Sequence, residues 1–230
     1  MSDTLYAKEI KCPVCEFIFT TQKVKTSSIR IEKRDTDFCV YYAGDNPLFY
    51  GVYVCPSCGF AALESGFENI GTVSKKIILD NISSKWMSRD FGKERNIYEA
   101  IDAYKLALLC GQLTKQKNGV LGSICLRLAW LYRYLGEERE YQFLKYAAES
   151  FEEAFRYEKL PIGGLDDLSI TYLIGETKRR LEKYEDAIYW FNKALRNPGI
   201  KQKKKLEMQI RDQWRSAREH FKHQKNSEKE

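Results

Sequence analysis

Two Cys-Pro-x-Cys pairs, Cys12-Pro13-Val14-Cys15 and Cys55-Pro56-Ser57-Cys58, carry the clearest chemistry in this chain. Each pair brings two sulfurs within reach of one ion, and together they supply the four thiolates of a tetrahedral site suited to zinc. A shell closed by four protein ligands leaves no position for substrate or activated water, so the expected ion is structural, one per chain. Proline stiffens each turn after its first cysteine, and Gly59 accepts the tight backbone after the last. Glu16 stands at the equivalent place in the first pair. The 39 residues between the pairs exceed the usual spacing of about 15 to 20. An inserted set of strands accounts for this, because lengthening a loop adds little closure entropy.

Thiol redox chemistry is the competing use of Cys-x-x-Cys. It calls for a pair at a helix N-terminus after a strand, and neither pair has that setting. Cys39, Cys110 and Cys125 read as buried apolar thiols, with an auxiliary ligand role left open for Cys39. His220 and His223 lie away from the cysteine pairs and read as surface residues. The chain shows no Walker loop, dinucleotide fingerprint or recognisable Ser or Cys triad, so no enzyme is expected.

The elements that must position the cysteines form an irregular, strand-like stretch to about residue 70. Thr26–Ile31, Phe38–Tyr42 and Phe49–Val54 are rich in β-branched and aromatic residues, with turn chemistry at Ala43-Gly44-Asp45-Asn46-Pro47. Beyond Asn69-Ile70-Gly71-Thr72 the texture changes to long segments of helical period. There Ala100, Tyr104, Ala107 and Leu108 align with Ala147, Phe151, Ala154 and Phe155, and with Ala187, Phe191, Ala194 and Leu195. Ala-x3-aromatic-x2-Ala-apolar puts small and large side chains on one helix face, where a neighbouring helix can approach closely. Ile174-Gly175, Tyr184 and Pro198 extend the third copy to the spacing of a tetratricopeptide unit, a helix-turn-helix of about 34 residues. In the second copy Leu128-Ala129 and Tyr132 start the first helix, Gly136 marks the turn, and the second helix is longer by about seven residues on that pattern. The first copy has a degenerate first helix around Trp86, Met87 and Phe91. Gly163-Gly164 reads as a turn between repeats, with Asp166 or Asp167 capping the helix that follows. Leu206–Phe221 reads as a capping helix with Trp214 and Phe221 inward.

The expected fold class is therefore α+β. A small four-cysteine zinc-ribbon-like β module spans 1–70 and an all-α tetratricopeptide-like helical solenoid with a capping helix spans 72–225. Residues 226–230 are expected to be a disordered tail.

In such a solenoid the first helices line a concave surface suited to a protein or peptide partner. The aligned inward positions are Leu126, Trp130, Arg133 and Tyr134 in the second copy, and Tyr172, Glu176, Arg179 and Arg180 in the third. Guanidiniums at equivalent positions, Arg133 and Arg179, beside aromatic surface suit an acidic or aromatic segment. In the plainer reading Trp130 and Tyr172 are core and the arginines are solvated. The Lys/Asn set that grips a C-terminal carboxylate in chaperone-binding tetratricopeptide proteins is missing from these positions.

The net charge of +6 sits mostly at the end, where residues 201–230 carry ten Lys/Arg against five Asp/Glu. Nucleic-acid binding through the ribbon and this basic tail is the alternative function. The mildly acidic first seventy residues argue against it, because phosphate neutralisation needs clustered Lys/Arg. A basic region followed by an apolar run is missing at the start, and no run nears the roughly 18 apolar residues of a membrane span. With seven cysteines, this predicts a cytoplasmic protein whose thiols are ligands and core residues.

Cys12-Pro13-Val14-Cys15, Arg34-Asp35-Thr36-Asp37-Phe38-Cys39, Asn46-Pro47-Leu48-Phe49-Tyr50, Val54-Cys55-Pro56-Ser57-Cys58-Gly59, Leu160–Leu165 and Tyr172-Leu173-Ile174-Gly175-Glu176 together give the chain a family likeness. It resembles the bacterial domain of unknown function 2225 family, which pairs a zinc-ribbon-like N-terminus with tetratricopeptide-like helices. The resemblance covers nearly the whole chain and implies a bacterial cytoplasmic protein. It brings no established activity and transfers only metal ligation, to the four knuckle cysteines.

Overall fold

The computed structural model describes residues 4–227. The fold is α+β, with small antiparallel sheets near the start and helices after them. The strands are β1 (Leu5–Lys11), β2 (Ile18–Val24), β3 (Ile31–Arg34), β4 (Val40–Tyr42), β5 (Val52–Val54) and β6 (Ala61–Leu63). They pair as three separate two-stranded sheets, β1–β2, β3–β4 and β5–β6. The helices are α1 (Thr72–Asn81), α2 (Ile97–Leu113), α3 (Asn118–Leu135), α4 (Arg139–Tyr157), α5 (Asp167–Arg180), α6 (Tyr184–Leu195) and α7 (Lys204–Ser227). None is long and apolar enough to cross a membrane.

Of the three expected strands, Phe38–Tyr42 and Phe49–Val54 are shortened to β4 and β5, and Thr26–Ile31 meets β3 only at Ile31. Thr26–Ser28 is a 3₁₀ turn, and Pro47–Tyr50 is another, capped by the Asn46 side chain, which accepts from the Leu48 N–H at 2.9 Å. Phe49 therefore lies in a turn before β5 begins. Burial alternates along the start of β2, but Ile18 is exposed and Thr21 buried, so the residue pattern does not announce the β1–β2 hairpin.

Packing divides the chain into two compact units. Of the described residues, one comprises 4–34, 39–116 and 127–140, and the other 35–38, 117–126 and 141–227. In the first, α2 lies against β5 and β6. Its Ala100, Tyr104 and Ala107 are buried there, and the Tyr104 hydroxyl donates to the Leu48 carbonyl at 3.1 Å. The first Ala-x3-aromatic motif thus serves a helix-on-sheet contact. No helix forms at Trp86, Met87 and Phe91, contrary to the expected degenerate first helix. Trp86 and Phe91 instead fold back onto the β elements, while Met87 is 85% exposed. Arg95, 4% exposed, ties these pieces together. Its guanidinium and Nε donate to the carbonyls of Phe49 (3.2 Å), Val52 (2.8 Å) and Phe91 (2.8 Å) and to Thr21 Oγ1 (3.2 Å).

In the second unit the other two motifs serve helix-on-helix packing. A Cβ on Gly175 of α5 would lie 2.8 Å from the Phe191 ring of α6, and one on Gly122 of α3 would lie 2.8 Å from the Phe151 ring of α4. Each aromatic of the motif therefore rests on a glycine of the preceding helix, which lets the backbones approach. α4 has 19 residues against 12 in α6, the expected seven more. α3 begins at Asn118, ten residues before Leu128, so the first helix of that copy is also extended. Gly136, at φ 67, ends it as expected. Asp166 caps α5, accepting from the Ser169 N–H at 3.0 Å. Ile210 and Ala217 of α7 are buried in a cluster with Tyr172, Ala187, Phe191 and Ala194, and Leu206 and Trp214 pack against it. Of the expected tail, Asn226 and Ser227 close α7, and 228–230 lie outside the described residues.

Gly175→Ala is expected to destabilise the protein by about 1–3 kcal/mol through overpacking against Phe191. This is so although alanine favours a helix by about 1 kcal/mol over glycine. Urea unfolding followed by circular dichroism checks it; equal or greater stability would contradict the close approach.

Candidate metal centre

The two cysteine pairs occupy the turns of two hairpins. Cys12–Phe17 connects β1 to β2, and Cys55–Phe60 connects β5 to β6. The turns are hydrogen-bonded alike. The Cys12 N–H donates to the Phe17 carbonyl and the Glu16 N–H to the Cys12 carbonyl, each at 2.9 Å. In the second turn the Cys55 N–H donates to the Phe60 carbonyl and the Gly59 N–H to the Cys55 carbonyl, again at 2.9 Å. Glu16 at φ 64 and Gly59 at φ 73 hold the same left-handed position. Glu16 therefore accepts a conformation that glycine takes without steric cost.

The four sulfurs all lie within 4.8 Å of one another. Cys12 Sγ is 3.6 Å from Cys58 Sγ, and Cys15 Sγ is 3.6 Å from Cys55 Sγ. A tetrahedron with metal–sulfur bonds of about 2.3 Å has edges of roughly 3.8 Å, so the spacing fits one ion. It is far longer than a disulfide bond of about 2.05 Å. Cys12, Cys55 and Cys58 are buried and Cys15 is half-buried. The Val14 N–H points at Cys12 Sγ from 3.4 Å, a contact that favours the thiolate.

Packed together, the thiols compete for negative charge. Hydrogen bonds from Cys55 and Cys58 pull Cys12 down to about 2. The same contact with Cys12 pushes Cys55 up to about 12 and Cys58 higher still, with burial adding to both. A divalent cation at the centre removes this conflict, because it favours all four thiolates at once.

The second turn is braced from the segment that follows α1. Ser83 Oγ donates to the Cys58 carbonyl at 2.8 Å and Trp86 Nε1 to the Pro56 carbonyl at 2.8 Å. The Trp86 ring lies so close to Gly59 that a Cβ there would fall 2.6 Å from it. Gly59 thus meets two demands, positive φ and the absence of a side chain. Sequence reasoning found the first and missed the second, along with Ser83, Trp86 and Arg95, whose partners in other elements are 25 to 74 residues away.

Cys39 stands outside the cluster, buried, with its Sγ 3.6 Å from the Tyr134 hydroxyl. Burial pushes Cys110 up to about 11 and Cys125 up to about 12, as inert core thiols require. His220 is exposed and stacks on Tyr184 at 5.2 Å, and His223 is exposed.

The residues expected on the partner surface divide between the units. Trp130, Arg133 and Tyr134 fall in the first. There Arg133 Nε meets Glu140 at 2.7 Å, with side chains 10% and 17% exposed, and Trp130 is half-buried. The Tyr134 hydroxyl donates to the Val40 carbonyl at 2.6 Å and its ring packs on Tyr41. Tyr172, Glu176 and Arg179 fall in the second, where Tyr172 and Glu176 are fully buried. Arg179 donates to Glu176 at 2.8 and 2.7 Å, and Arg180 joins it at 3.0 Å. Burial, then the neighbouring Glu176, pushes the Tyr172 hydroxyl well above the ordinary tyrosine range.

An α+β architecture and a four-cysteine cluster able to hold a metal ion define the class of this protein. The chain belongs to the family described as an uncharacterized protein conserved in bacteria (DUF2225), which matches residues 5–217. It is 28% identical over 170 residues to an uncharacterized protein of Borreliella burgdorferi, a match covering 65% of this chain. The chain spans 60% of the length of that relative. No solved structure matches the chain.

Gly59→Ala is expected to lower stability by about 2–4 kcal/mol, from the added clash with Trp86 and the left-handed backbone. Glu16→Gly, relieved of the same backbone cost, is expected to gain about 0.5–1 kcal/mol. Thermal unfolding of the metal-loaded variants checks the pair; shifts of the same sign would contradict the equivalence of the two turns.

Proposed function

We propose that the protein is a zinc-stabilised scaffold for protein interactions. One zinc ion is held by Cys12, Cys15, Cys55 and Cys58, and the tetratricopeptide-like helices offer a surface for a protein partner. The observation that carries the metal reading is the meeting of four sulfurs at tetrahedral spacing on two hairpin turns with matching hydrogen bonds. A four-thiolate shell is closed, so the ion is structural and the chain is not an enzyme at this site. Zinc suits four thiolates better than magnesium or calcium, which prefer oxygen ligands.

The scaffold reading rests on the helical part. Glycine-on-aromatic packing recurs between α3 and α4 and between α5 and α6, as in stacked helix pairs. The nucleic-acid alternative is the weaker reading. Along α7, Arg211 pairs with Glu207 and Arg215 with Asp212, while Arg218 lies 4.6 Å over Trp214 and Lys225 4.4 Å over Phe221. The two ion pairs offset part of the charge that phosphate binding would need.

Protein purified under reducing conditions without added metal is expected to contain one zinc per chain by elemental analysis. Cys58→Ser is expected to lose most of it, together with the near-ultraviolet signal of Trp86, while helical circular dichroism largely persists. Folded wild-type protein without bound metal would overturn the reading.

A further inference from the structure

The second unit contains a short segment from far earlier in the chain. Asp35–Phe38, in the connection between β3 and β4, lies on α5 and α7. The Thr36 carbonyl accepts from the Tyr172 hydroxyl at 2.7 Å and from Gln209 Nε2 at 2.8 Å. The Thr36 hydroxyl donates to Glu176 and accepts from Arg180 at 3.1 Å. Arg180 also faces Asp37 at 3.5 Å and Asp35 at 3.9 Å. The Phe38 ring packs on Tyr172 with centroids 5.5 Å apart. This is how a groove holds a peptide: a main-chain carbonyl gripped by two donors, a guanidinium between carboxylates, and an aromatic anchor.

Two features mark the segment as a ligand more than as ordinary core. Its polar groups are gripped by side chains of two separate helices, α5 and α7. Phe38 is also held at φ 70, a backbone conformation that bulky residues rarely adopt. Strain of this kind gathers at ligand clamps and switches and persists only while the surrounding contacts outweigh it.

We propose that Asp35-Thr36-Asp37-Phe38 is an internal ligand of the α5–α7 surface. The partner of that surface is then a protein segment of the same chemistry, two carboxylates flanking a hydroxyl residue and followed by an aromatic. This rests on the scaffold reading above and names both the partner class and its regulation. A tethered segment has an effective concentration in the millimolar range, so it occupies the surface until a foreign segment competes or the segment is withdrawn.

The test uses the full chain and a fluorescent peptide, Lys-Arg-Asp-Thr-Asp-Phe, read by polarisation. D37N/F38A, which weakens the internal ligand, is expected to bind the peptide at least about tenfold more tightly than wild type. Adding Arg180→Ala is expected to abolish that gain. No binding by folded D37N/F38A, or binding indifferent to Arg180→Ala, would overturn the proposal. D35N, which weakens the 3.9 Å contact with Arg180, is expected to give a smaller rise of about threefold and decides the matter if the double variant fails to fold. Zinc content is measured on the same samples: one zinc per chain with no peptide binding sinks the internal ligand alone, whereas metal-free folded protein sinks the zinc-scaffold reading itself.

Discussion

Everything near the start of the chain depends on holding two hairpin turns together. The turns carry Cys12 and Cys15 on one side and Cys55 and Cys58 on the other, and each hairpin is a two-stranded sheet. Isolated two-stranded sheets are at best marginally stable in water, and β5 and β6 have only three residues each. A metal cross-link between the turns, as proposed, supplies on the order of 10 kcal/mol to such a segment. The apolar contribution comes from α2, which lays Ala100, Tyr104 and Ala107 on the same strands, and from Arg95, which satisfies carbonyls that the short sheets leave unpaired.

The same short motif is used in two ways. On α2 the aromatic of Ala-x3-aromatic reaches over a strand and a turn, so that Gly51 must lack a side chain beneath Tyr104. On α4 and α6 the aromatic rests on a glycine of the preceding helix. In both cases a large ring faces a position with no Cβ, and the partner element decides whether the result is a helix–sheet or a helix–helix contact. The charged residues of α5 follow a comparable logic. Glu176 is fully buried, yet Arg179 and Arg180 surround it, so the desolvation penalty of the carboxylate is offset by paired hydrogen bonds.

Local features of this arrangement were legible from the residues. The cysteine spacing, the left-handed position at Gly59, the Asp166 cap, the Gly136 stop and the seven-residue extension of α4 all depend on neighbours within one element. The α+β class followed from the change of period after residue 70. What escaped the sequence was long-range. Met87 and Phe91 have helix-compatible spacing, but Trp86 lies on Gly59 and Phe91 by Arg95. Strand β1 is mostly exposed, and β2 buries Thr21 while exposing Ile18, so no alternation of hydrophobicity announced them. The contacts of Thr36 with Tyr172 and Glu176, more than 130 residues away in the chain, had no signal in the residue pattern.

The central claim is a four-thiolate metal site built on two equivalent turns. X-ray absorption at the zinc edge of the purified protein reads its coordination shell directly. The account predicts a single shell of four sulfurs at about 2.3 Å. Nitrogen or oxygen scatterers in that shell, or only two sulfurs per ion, would contradict it.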